Sequence, residues 1–88
     1  MTWSVEWDER ARKELRRLDP ATQREVLRYL RERVAGPGDP RRYGRALRGM
    51  MHGLWRYRIG VHRLICKIEE DRLVVLVLAV GHRRDVYN

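Results

Sequence analysis

Apolar and polar positions divide the 88-residue chain into four kinds of stretch. Trp3-Ser4-Val5-Glu6-Trp7 alternates with period two, which places Trp3, Val5 and Trp7 on one side of a short, half-buried strand. From Ala11 the period lengthens: Ala11, Leu15 and Leu18 recur at spacings of four and three, the stripe of an amphipathic helix that Asp8 can cap and whose first turn Glu9 suits. Asp19-Pro20 breaks the pattern and starts a second helix. It is expected to run to about Val34, burying Val26, Leu27, Leu30 and Val34 with Tyr29 beside them. Ala35-Gly36-Pro37-Gly38-Asp39-Pro40 cannot continue it.

Period two returns in the second half. Trp55, Tyr57 and Ile59 alternate with Leu54, Arg56 and Arg58; after Gly60, His62, Leu64, Cys66 and Ile68 alternate with Arg63, Ile65 and Lys67. Glu69-Glu70-Asp71 reads as a hairpin turn. Leu73 to Val80 is apolar on both faces and is expected at the centre of a sheet. These elements predict an α+β fold of order βααβββ, one domain spanning residues 1–88, with a helical hairpin on one face of a small, mostly antiparallel four-stranded sheet. The hairpin covers only one side of the central strand. The other side is left for side chains, the C-terminal stretch or a partner.

Charge changes the picture. The net charge is +8, and it is unevenly spread: residues 1–40 hold nine Lys/Arg against eight Asp/Glu, residues 41–88 eleven against four. Such asymmetry points to a polyanionic partner. Arg41, Arg42, Arg45 and Arg48 crowd a stretch with no periodicity, alongside Tyr43, and are candidate RNA-binding residues together with His82 and Arg84. Arg56 and Arg58, two apart, share a strand face; Arg63 joins them if the next strand folds back across Gly60, and Arg83 follows the central strand. A cluster of that kind suits a phosphate and the charge that builds on it during reaction, although passive phosphate binding or ion pairing with Glu6 and Glu14 would use the same residues.

Other chemistries find little support. Ser4 is the only serine, and His52, His62 and His82 lack metal-ligand spacing, so no metal or cofactor is expected. One cysteine, Cys66, excludes an internal disulfide and fits a reducing cytosol. No apolar run reaches the roughly 18–20 residues that span a bilayer, and the N-terminus has no secretory pattern.

The order of elements, with Leu47-Arg48-Gly49-Met50, Trp55-Arg56-Tyr57-Arg58, His62-Arg63-Leu64 and the ending Gly81-His82-Arg83-Arg84-Asp85-Val86-Tyr87, resembles the RelE/ParE toxin superfamily, most closely its RelE-type branch. The resemblance implies a bacterial toxin of a toxin–antitoxin pair, a metal-independent endoribonuclease that cleaves mRNA in the ribosomal A site. It implies catalytic roles for Arg56, Arg58, Arg63, Arg83 and Tyr87, and an acidic cognate antitoxin in a hetero-oligomer. The best-known member has lysines where Arg56 and Arg58 stand. Arginine does not deprotonate usefully, so either Tyr87, His82 or His62 serves as general base or orientation by the ribosome dominates. The turn between Arg58 and Arg63 is also about two residues shorter. Two alternatives share the fold: a ParE-like inhibitor of DNA gyrase, and a non-catalytic basic binding module.

Overall fold

The computed structural model describes residues 1–82. The elements, in chain order, are β1 (Ser4–Trp7), α1 (Glu9–Arg16), α2 (Pro20–Tyr29), β2 (Arg45–Ala46), β3 (Trp55–Ile59), β4 (His62–Glu69) and β5 (Val74–His82); all but β2 are those the pattern predicts, in the predicted order. Both helices start where side chains take up orphan amides. Asp8 accepts from Arg10 N–H at 3.0 Å, and Asp19 from Thr22 N–H at 3.2 Å with Pro20 in the first turn. A single wide π-type turn, Leu30–Val34, carries the second helix to its predicted end.

The sheet has five strands in the order β1-β5-β4-β3-β2, one more than the pattern predicts. The extra strand is Arg45–Ala46, too short to show alternation; its pairing with β3 creates it, Arg45 facing Arg56 and Ala46 facing Trp55. Only β1 with β5 is parallel. β5 lies inside the sheet, as its apolar run requires. Its ladder with β4 slips after Ile65, which faces Ala79, so that Cys66 faces Val77 and Leu78 is the extra residue of a bulge. The slip resets the alternation and lets Val77 and Val80 both join the helix-side core.

That core gathers Ala11, Val26, Leu30 and Val34 from the helices against Tyr57, Leu64, Cys66, Val75, Val77 and Val80 from the sheet. The Tyr57 hydroxyl, fully buried, donates to Pro40 O at 2.6 Å, tying β3 to the chain after α2. Burial pushes its pKa far up. Leu27, expected in the core, is instead 44% exposed. With Val5, Trp7 and Leu30 it borders a shallow apolar groove, because β1 is a four-residue strand with no neighbour beyond it among the described residues.

Candidate functional site

The β3–β4 hairpin turns through Gly60 and Val61, with Gly60 at φ +59, a conformation glycine takes without steric cost. That turn fixes the register, and Arg58 stands directly opposite Arg63. Arg56 faces Ile65 on one side and Arg45 on the other. Paired residues share a sheet face. Arg45, Arg56, Arg58 and Arg63 therefore line one face, opposite the one that Tyr57 and Leu64 present to the helices. Three of the four were predicted to meet; Arg45 joins them through the unforeseen β2.

This face is not purely polar. Ile65, next to Arg56 in the ladder, is only 2% exposed yet lies outside the helix-side core. Its ladder neighbour Arg56 carries an apolar stem as well as a charged head, and such a stem can lie along apolar surface while the head stays in water. Arg58 is exposed, while Arg56 and Arg63 are half-buried. The buried Nε of Arg56 has no hydrogen-bond partner among the described residues. Several carboxylates among the described residues have partners away from this cluster. Glu6 pairs with Arg72 at 3.0 Å, Arg72 with Glu69 at 2.7 Å and Lys67 with Glu69 at 4.0 Å, all toward the β1 side. Glu14 accepts from the Val80 amide. The two acids named as candidate partners for the cluster thus have these other partners.

The remaining candidates separate. Arg41 bonds Asp39 at 3.3 Å and Glu70, and lies over the rings of Trp3 and Trp55 at 6.0 and 5.8 Å. Trp55 shares the face of Tyr57, so Arg41 sits on the helix side. Arg42 lies over Tyr43 at 6.0 Å, and Arg33 packs over both Tyr29 and Tyr43. Arg48 is exposed in the loop after β2, next to Arg45. His62 pairs with His82 in the ladder, ring centroids 6.1 Å apart, on the side opposite Arg63. Arg83, Arg84 and Tyr87 lie outside the described residues.

Among the described residues no three His, Cys, Asp or Glu side chains gather into a metal site, and no helix is long and apolar enough to cross a membrane. Cys66 is buried, which raises its pKa strongly and keeps it a thiol in the core. What the arrangement brings together is a set of permanently charged guanidinium groups on one sheet face.

Known proteins share this architecture. Toxin RelG of Mycobacterium tuberculosis is 30% identical over 87 residues, covering 99% of this chain and 98% of that protein. The toxin–antitoxin complex RelBE2 from the same organism contains a chain that superposes with a TM-score of 0.86 at 28% identity, covering 97% of this chain and 95% of that one. Isolated E. coli RelE gives 0.73 at 29% identity, covering 97% and 90%. Residues 5–87 match the model of the ParE toxin of type II toxin–antitoxin systems. The chain belongs to that family, the RelE/ParE toxins of toxin–antitoxin systems.

Proposed function

We propose that this toxin is an endoribonuclease that cuts mRNA in the ribosomal A site and so stops translation. The single observation carrying this reading is the register that sets Arg58 opposite Arg63 and Arg56 beside them on one face. In the reaction the ribose 2′-oxygen attacks the adjacent phosphorus. The new P–O2′ bond forms as the P–O5′ bond breaks; the 2′-hydroxyl proton leaves and the departing 5′-oxygen gains one. The products are a 2′,3′-cyclic phosphate and a 5′-hydroxyl. Guanidinium groups held on a rigid hairpin need little reorganisation as charge builds on the phosphoryl oxygens.

Arg56, Arg58 and Arg63 serve as those donors, with Arg83 joining them as the family resemblance implies. None can be the base. The position of His62 and His82 behind the sheet favours Tyr87 for proton transfer, and orientation by the ribosome supplies much of the rate. Arg45, Arg48 and Arg84 hold flanking RNA. An acidic antitoxin covers the basic face in a cytoplasmic hetero-oligomer; solved neighbours include toxin–antitoxin complexes.

Primer extension on mRNA from translating ribosomes tests this. Cuts in the A site that carry cyclic phosphate ends and vanish in Arg58→Ala and Tyr87→Phe are expected; intact mRNA with the unmodified protein refutes it. A second reading, inhibition of DNA gyrase, is favoured by the ParE description of the matching family model. Supercoiling assays separate the two.

A further inference from the structure

Beside the arginine face, along the outer edge of β2, lies an open depression of about 660 Å³ lined by Arg45, Ala46, Leu47, Arg48 and His52. The loop that forms it folds back on itself: Leu47 N–H bonds Leu54 O at 2.9 Å, and His52 N–H bonds Gly49 O at 3.0 Å. This brings the exposed His52 ring back toward Arg45, seven positions earlier. The chemistry of the lining is mixed in a specific way. Leu47 and Ala46 provide apolar wall, two guanidinium groups provide fixed positive charge, and an imidazole adds a flat face with a hydrogen-bonding edge. Among the described residues β2 is also the last strand of the sheet, with no ladder partner on its outer side.

Apolar wall, flat ring and fixed cations together match a nucleotide: its base stacks, its phosphate pairs and its edge meets backbone groups. The location is as informative as the lining. Arg45 is the cross-strand neighbour of Arg56, and adjacent strands lie about 5 Å apart. An RNA phosphate held over Arg56 and Arg58 leaves the next nucleotide within reach of Arg45 and the depression.

We infer that this depression is a nucleotide subsite, in which Arg45 takes a phosphate flanking the cut and His52 with Leu47 takes the neighbouring base. The inference rests on the RNA-cleaving reading and goes beyond it, because it assigns sequence preference to residues remote from the reacting bond. Bases differ in stacking strength and edge, so the subsite ranks cleavage sites.

Two measurements on the full chain test it. The first maps cut sites in translating extracts for the unmodified protein, His52→Ala, His52→Gln, Leu47→Ala and Arg58→Ala. The second follows the His52 ring signals by NMR as single-stranded RNA with a 2′-O-methyl block at the attacking ribose is added. We expect the His52 and Leu47 variants to change relative cutting among sites by about five- to tenfold, the scale of a lost base stack, and the His52 signals to shift on RNA addition. Arg58→Ala lowers cutting at all sites alike. An unchanged ranking in His52→Ala and Leu47→Ala, with Arg58→Ala still lowering cutting at all sites, overturns the subsite and leaves the nuclease standing. Absence of any cutting by the unmodified protein overturns both.

Discussion

Glu14 Oε1 accepts a hydrogen bond from the backbone N–H of Val80 at 2.9 Å. β1 ends at Trp7, opposite Val77, so among the described residues no strand lies beside that side of β5 beyond this point. A helix side chain takes the strand's place at Val80 and clamps the end of β5 that leads into Gly81 and His82.

Removing that acceptor leaves a partly buried amide unpaired, which costs roughly 1–3 kcal/mol. Glu14→Ala should lower Tm by several degrees, at about 4–8 °C per kcal/mol for a domain of this size. Glu14→Gln keeps an oxygen at that position and should recover most of the loss. Thermal unfolding of the three proteins checks both statements.

Arg58 and Arg63 face each other, and the nuclease reading makes both stabilise the same phosphoryl group. Losing one such donor costs on the order of 10²–10³ in rate. Arg58→Ala should show that loss in single-turnover cleavage on programmed ribosomes. Arg58→Lys should restore part of it, because lysine keeps the charge and loses the two-pronged geometry.

Tyr57 carries a pH dependence. Burial raises its pKa above the ordinary 10.0, so the folded state holds the phenol proton more tightly than the unfolded chain. The stability is fully present below pH 10 and is lost as pH rises through the folded value. Tyr57→Phe should flatten the alkaline limb of the stability profile. At neutral pH it should cost roughly 0.5–1.5 kcal/mol for the bond to Pro40. Urea unfolding at pH 7 and pH 11 measures both.

Asp19 behaves in the opposite sense. The Thr22 hydroxyl, followed by the Thr22 amide, holds its carboxyl below the usual 3.8. Its stabilisation is therefore present above pH 3.8 and drains away as pH falls through the depressed value. Asp19→Ala should remove the cap at neutral pH and weaken this part of the acid dependence, read by circular dichroism during acid titration.

Arg41, a candidate RNA-binding residue in the basic stretch beside Tyr43, lies against Trp3 and Trp55 and bonds Glu70 and Asp39. Arg41→Ala should destabilise the fold by about 1 kcal/mol from the lost ring and ion contacts and leave the cleavage pattern intact. Parallel unfolding and cut-site mapping decide it.

The sequence by itself determined what repeats: two helical stripes, the alternation of Arg56 and Arg58 with Tyr57, and the doubly apolar run that becomes β5. Periodicity reports which positions face the same way, and that suffices to place Arg56 and Arg58 together. Only the tertiary structure decided which strands lie side by side. Arg45–Ala46 carries no period and becomes a strand because β3 offers it partners. The bulge at Leu78 leaves no trace in a stretch where every residue is apolar. Leu27 follows the helical stripe yet stays exposed because the short β1 leaves it uncovered. Arg41 and Arg45 are equally basic in the sequence; Arg41, in the turn Pro40–Tyr43, meets two tryptophan rings and the carboxylates of Asp39 and Glu70, whereas cross-strand register sets Arg45 on the arginine face.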